Sequence, residues 1–143
     1  MRLASPMRHP VIRKTRQFVL TNLKGTRPTL LKRLRQVTHQ FCRDADADHA
    51  GDSRTYAHTW AHGDDDLSIC WARAFAELSD DQICGICLHE YGHILAGPMR
   101  DASDFDAELG ADVAILKGYG VEIAYCGDEM IQEVDYNRIL RGC

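Results

Sequence analysis

The sequence predicts an α+β fold in which a small antiparallel sheet or hairpin packs on two helices. Three observations carry that expectation. Residues 79–97 open with Ser79-Asp80-Asp81-Gln82, a capping box with Ser79 as N-cap and Gln82 at N3, and close at Gly97-Pro98, which bounds a helix reaching about Ala96. Residues 55–60 and 67–72 are short strand-like runs on either side of His62-Gly63-Asp64-Asp65-Asp66, a segment rich in turn formers. Residues 105–117 carry a second helical pattern, ended by Gly118 and Gly120. A length of 143 residues suits one domain and is enough to bury a core without disulfide staples.

The other elements follow in chain order. Residues 1–27 hold Pro6, Pro10, Gly25 and many Arg, show little helical periodicity, and read as a poorly ordered basic arm with a short strand over 11–20. From Pro28 the pattern changes. Leu30, Leu31, Leu34, Val37, Thr38 and Phe41 recur at helical spacing, with Lys and Arg on the opposite face. Thr26 suits a cap and Pro28 a first turn, so a helix of about four turns is expected. Residues 44–54 read as an acidic, Gly-containing loop. Asp101, Asp104 and Asp106 mark the connection into the second long helix. In the tail, Val121, Ile123, Ile131, Val134, Ile139 and Leu140 are apolar, and a short helix is expected around 128–140. The chain thus divides into a basic N-terminal arm, 1–27, and a folded domain, 28–143.

Charge is segregated along the chain. Residues 1–43 hold 11 of the 17 Lys and Arg and none of the 21 Asp and Glu. Such a split suggests a basic arm on an acidic body, suited to nucleic acid or another acidic partner through residues 1–43. Phe18 and Phe41 are the few aromatics there for stacking on bases. The same arm also has the charge to fold back over the acidic body and cover a site, as a pro-segment does. No apolar stretch of about 7–15 residues follows the Arg-rich start, and no window approaches the ~20 apolar residues of a membrane span. A soluble, cytoplasmic protein with no membrane partner is expected. Its six cysteines, Cys42, Cys70, Cys84, Cys87, Cys126 and Cys143, are then free thiols by default.

The chemistry concentrates in His89-Glu90-Tyr91-Gly92-His93. Positions i and i+4 of a helix share one face, so His89 and His93 direct two imidazoles at one ion. Zinc accepts imidazole nitrogen at about 2.0–2.1 Å and works with three protein ligands plus a water. Glu90, at the rim of the same face, is placed to accept a proton from that water, whose pKa the metal lowers towards about 7. Cys84, Cys87, Leu88, Tyr91 and Leu95 form an apolar back to this face. Cys84 and Cys87 have metal or redox spacing, yet they point away from the histidines and read as core.

No histidine follows His93, so a third ligand downstream has to be a carboxylate or a cysteine. Positions 96 and 99 are Ala96 and Met99, which excludes the pattern with Gly three residues after the second His and a His or Asp three further on. Glu108-Leu109-Gly110-Ala111-Asp112 offers two carboxylates four apart on one helix face. Glu108 is a candidate ligand, and Asp112 a candidate acceptor for the outer N–H of a ligating His. Gly110 and Ala111 between them favour a close helix approach. Asp101, Asp104 and Asp106 remain rival ligands.

His-Glu-x-x-His followed by Glu-x-x-Ala-Asp resembles the gluzincin metallopeptidases, and the short length resembles their minimal members, the minigluzincins. The resemblance spans about residues 55–120. It implies a zincin-like fold, a hairpin or small sheet on an active-site helix and a glutamate helix. It also implies zinc on His89, His93 and Glu108, Glu90 as general base, Asp112 behind a ligating histidine, and hydrolysis of peptide bonds in a protein or peptide substrate. An edge strand, 67–72 or 55–60, would hold an extended substrate by β-addition. Glu108 follows His93 by only 15 positions, which favours an open, stripped-down site.

Two alternatives to the peptidase are a non-catalytic, regulatory zinc domain and a DNA-associated protease guided by the basic arm, the latter resembling repressor-cleaving proteases of phages and mobile elements. His58, His62, Tyr119, Tyr125 and Tyr136 are candidates to stabilise an oxyanion. His62 beside Asp64, Asp65 and Asp66 could also bind a stray metal ion.

Overall fold

The computed structural model describes residues 3–25, 27–41, 56–61, 67–97, 104–127 and 130–141. A short 3-10 turn at Pro6–Arg8 leads into helix α1, Pro10–Thr21. Helix α2 is Pro28–Gln36, and strand β1, Thr38–Phe41, follows it directly. Strands β2, Ala57–Ala61, and β3, Leu67–Trp71, come next. Another 3-10 turn at Arg73–Glu77 precedes the long helices α3, Asp80–Ala96, and α4, Asp104–Tyr119. A hairpin of β4, Ala124–Cys126, and β5, Ile131–Glu133, and the short helix α5, Tyr136–Arg141, complete the described chain. The mixture of helices and small sheets is compatible with the α+β class expected, but the three-stranded sheet is mixed and not purely antiparallel.

Helix α3 is the axis of the molecule, packed against α1, α4, β2 and β5. Its start is the expected capping box: the Ser79 hydroxyl accepts from the Gln82 N–H, and the Gln82 side chain accepts from the Ser79 N–H. Its end is Gly97, whose φ of 75° lies in the left-handed region that glycine tolerates. Almost every residue from Ile83 to Ile94 is buried, including His89 and Glu90. The motif therefore lies within the core, with His93 partly exposed at its edge. Cys84 and Cys87 are fully buried, as expected of core residues.

The three-stranded sheet has the order β1-β3-β2, with β1 parallel and β2 antiparallel to β3. β2 and β3 pair as anticipated, Thr59 opposite Ile69. β3 is central and wholly buried, so it offers no edge to a substrate. Of the two edge candidates, only the one at 55–60 is an edge strand.

Three expectations are overturned. The segment at 11–20 is helix α1, not a strand in a loose arm. Val11, Ile12, Thr15, Phe18 and Val19 are buried at helical spacing, and Pro10 stands in the first turn behind a His9 cap. α1 packs on the side of α3 that carries Cys84, to which the Thr15 hydroxyl donates at 3.3 Å, so this segment backs the motif helix and does not cover the histidines. Second, α2 ends at Gln36. Val37 leaves the helix in extended conformation, and residues 38–41 pair with β3, where His39 accepts from the Trp71 indole N–H at 3.0 Å and meets the Tyr91 hydroxyl at 2.8 Å. Sheet pairing and this buried polar contact outweigh local helical spacing. Third, the tail forms the β4–β5 hairpin before its helix. β5 crosses α3 where Gly85 has no side chain: a Cβ there would stand 2.6 Å from the Glu133 nitrogen.

The expected cap Thr26, the loop at 44–54, and the turn 62–66 lie outside the described residues. Among the described residues no helix is long and apolar enough to cross a membrane.

Candidate metal centre

The centre is set by the crossing of α3 and α4. Gly92 faces Ala111 there, and a Cβ on Gly92 would overlap the Ala111 carbonyl. The expectation of a close approach holds for Ala111, but Gly92 is the residue whose small size permits it. At this spacing, Glu108 and Asp112 of α4 reach the two histidines of α3.

Glu108 touches both rings. Its Oε2 is hydrogen-bonded to His89 Nε2, and its Oε1 lies 3.4 Å from His93 Nε2. The rings of His89 and His93 stand edge to face with centroids 4.8 Å apart. One ligand atom from each of His89, His93 and Glu108 falls within 4.8 Å of the others. His89 is buried, His93 partly exposed and Glu108 about half exposed, so the cluster opens to solvent on the Glu108 side.

Asp112 lies behind His89. Its Oδ1 accepts from His89 Nδ1–H at 2.7 Å, which leaves Nε2 aimed at Glu108. The other oxygen, Oδ2, accepts from the Tyr125 hydroxyl at 2.5 Å. The β4–β5 hairpin thus fixes the carboxylate that fixes the ring.

Glu90 is buried beside the pair, and Thr59 of β2 donates to its Oε1 at 2.7 Å and stands 3.2 Å from its backbone oxygen. Burial raises the Glu90 pKa, while His89, His93 and the Thr59 hydrogen bond oppose that rise. For His89, burial alone would lower the pKa, but the hydrogen bonds to Asp112 and Glu108 raise it to about 10. The hydrogen bonds from His89 and His93 hold the Glu108 carboxyl well below its ordinary range. Two imidazole nitrogens and one carboxylate form a donor set that fits zinc.

Scans against protein-family models, curated proteins and solved structures return no match to this chain. Its chemistry is therefore read from its own side chains.

Of the anticipated residues, His89, Glu90, His93, Glu108 and Asp112 come together. The side chains of the rival ligands Asp101, Asp104 and Asp106 lie outside the described ones, as does His62. Tyr125 reaches the centre, but its hydroxyl is engaged by Asp112. Tyr119 donates to the Val19 carbonyl at 2.7 Å, far from the centre, and Tyr136 is buried in the core. His58 lies on β2 opposite Cys70. Thr59 and Gly92 went unrecognised. Thr59 carries no local signal because its contact spans 31 positions, whereas Gly92 was visible as a glycine inside a helix with no turn to explain it.

Proposed function

We propose that the chain is a zinc-dependent peptidase of gluzincin type with a zincin-like site. His89, His93 and Glu108 hold the ion, and Glu90 is the general base. One observation carries this reading: the three ligand atoms converge within 4.8 Å while the Glu90 carboxylate is held beside them by Thr59. When bound, zinc supplies Lewis-acid polarisation and lowers the pKa of a water towards about 7.

The chain's own residues do the rest. Asp112 orients His89 through Nδ1, and Tyr125 orients Asp112. Thr59 occupies Glu90 Oε1, which leaves Oε2 to take a proton from the attacking water and return it to the departing amine. Burial raises the Glu90 pKa and makes it a stronger base than an exposed carboxylate. β2 has one edge without a strand partner among the described residues and lies against α3 through Thr59, so an extended peptide added to that edge would pass the site. Cys70, Cys87 and Cys126 are free thiols, which suits a reducing compartment, and the cytosol is the proposed setting.

Glu90→Gln tests the mechanism. It should bind zinc in the wild-type ratio and lose peptide hydrolysis by about 100-fold or more, the usual worth of a general base. Unchanged hydrolysis would reject Glu90 as base. A wild-type protein that binds zinc stoichiometrically yet cleaves no peptide would favour a regulatory zinc domain.

A further inference from the structure

The cations of residues 1–43 remain outside the function proposed above. In the described chain most of them are carried by two adjacent helices and the connection between them. Arg13 and Lys14 of α1, Lys24 and Arg27 of the connection, and Lys32 and Arg35 of α2 are all exposed. The two helices are fastened together by their own basic residues, since the Arg16 guanidinium donates to the Arg35 carbonyl at 3.0 Å. The three ion pairs among the described residues all belong to the metal centre, and none involves a Lys or an Arg. Every cation of this face therefore lacks an internal counter-charge among the described residues. Like charges held close together repel one another, and an anion bound from outside relieves that repulsion.

The surface exposes no large apolar side chain of its own, although the partly buried Leu20, Leu23 and Leu31 line a cleft where its two helices join. Docking between proteins concentrates its energy in exposed aromatic and aliphatic anchors. The large exposed apolar residues of the described chain are Leu109, Val113, Leu116, Tyr125 and Met130, none of them on this face. Phe18 is buried and Phe41 is partly buried under the Arg73 guanidinium, so no exposed aromatic offers a platform for unstacked bases. Clustered exposed charge with no exposed aromatic platform among the described residues matches the phosphates of a duplex, whose recognition is electrostatic and independent of sequence.

We infer that the solvent face shared by α1 and α2 binds the phosphodiester backbone of double-stranded nucleic acid without reading its sequence. The acidic remainder of the chain is repelled by the same polyanion and turns this face towards it. The site on α3 is built from other residues, so the inference stands or falls independently of the peptidase reading.

The test uses the full chain and a fluorescent DNA duplex of about 20 base pairs and arbitrary sequence, titrated by anisotropy from about 50 mM salt upward. Each neutralised phosphate contributes about −0.9 to the slope of log K against log salt, and about four contacts give a slope near −4. Lys32→Glu with Arg35→Glu should weaken binding about ten-fold or more. Arg73→Glu with Arg138→Glu makes the same change in net charge at exposed positions on other elements, and it should weaken binding less than about two-fold. Circular dichroism and zinc content verify that both double variants fold. Absence of binding at the lowest salt would overturn the inference. Equal losses in the two double variants would also overturn it, because net charge alone would then explain the attraction. So would polyglutamate competing as well as unlabelled duplex at equal charge concentration, which would point to an acidic protein as the partner.

Discussion

The α3–α4 crossing and the α1–α2 face both concentrate charge, and they treat it in opposite ways. At the crossing, Glu108 contacts His89 and His93, Asp112 is shared by His89 and Tyr125, and Glu90 accepts from Thr59. On the α1–α2 face, no Lys or Arg reaches a carboxylate among the described residues. Burial explains the difference. A buried charge is costly unless it is paired, so the interior assembles its own partners and fixes their positions. An exposed charge is hydrated and stays available to a partner from outside. The first arrangement yields a rigid centre suited to a small ion, and the second an adaptable surface suited to a polyanion.

The largest expected effect comes from breaking the geometry of the crossing. Gly92→Val would place a branched side chain against the Ala111 backbone, which cannot move aside without shifting α4. Overpacking of this kind costs about 1–3 kcal/mol, and displacing Glu108 and Asp112 should abolish stoichiometric zinc binding. Equilibrium denaturation and zinc titration measure both effects. Wild-type zinc binding in this variant would mean that close helix approach does not build the centre.

A smaller effect is expected at the outer end of the hydrogen-bond chain. Tyr125→Phe removes the donor to Asp112 while leaving the ligands in place. Loss of such supporting contacts costs about 10–100-fold in metal affinity, and the low end is expected here because Tyr125 acts through Asp112. Competition with a chromophoric chelator reads the change. An unaltered affinity would make Tyr125 incidental to the site.

A gradual effect, spread over several pH units, is expected away from the candidate metal centre. Burial, then the nearby Arg16, lower the His39 pKa from 6.5 to about 3. The unfolded chain takes up a proton there below pH 6.5, while the folded chain resists until about pH 3. The stability contributed by neutral His39 is therefore complete above pH 6.5 and is lost as pH falls towards 3. Between those limits the wild type should lose stability with a slope steeper than that of His39→Leu by up to one proton, about 1.4 kcal/mol per pH unit. The variant should be less stable at neutral pH, because the Trp71 N–H and the Tyr91 hydroxyl lose their partner. Parallel slopes in urea titrations would show that His39 does not titrate as described.

Local signals were read well and non-local ones poorly. The capping box at Ser79, the stop at Gly97 and the hairpin of β2 and β3 rest on neighbouring residues, and all three are present. Helix α1 had its signal too: Pro10 at the start and apolar positions at helical spacing, overlooked because the charge of the segment suggested an arm. The end of α2 was not readable from spacing, since only the pairing of 38–41 with β3 sets it. The same holds for β5, which depends on the bare backbone of Gly85. Within the centre, His89, Glu90, His93, Glu108 and Asp112 were legible because helices repeat every three to four residues. Thr59 and the engagement of Tyr125 by Asp112 were not, because each joins elements that only the folded chain brings together.

The central claim is that one zinc ion bridges α3 and α4. Anomalous diffraction at the zinc edge, from crystals of the zinc-loaded protein, tests it most directly. The account predicts a single strong peak within about 2.0–2.2 Å of His89 Nε2, a His93 ring nitrogen and a Glu108 carboxylate oxygen, with Asp112 and Tyr125 outside bonding distance. A peak held by other residues, or none there in protein shown to bind zinc, would contradict it.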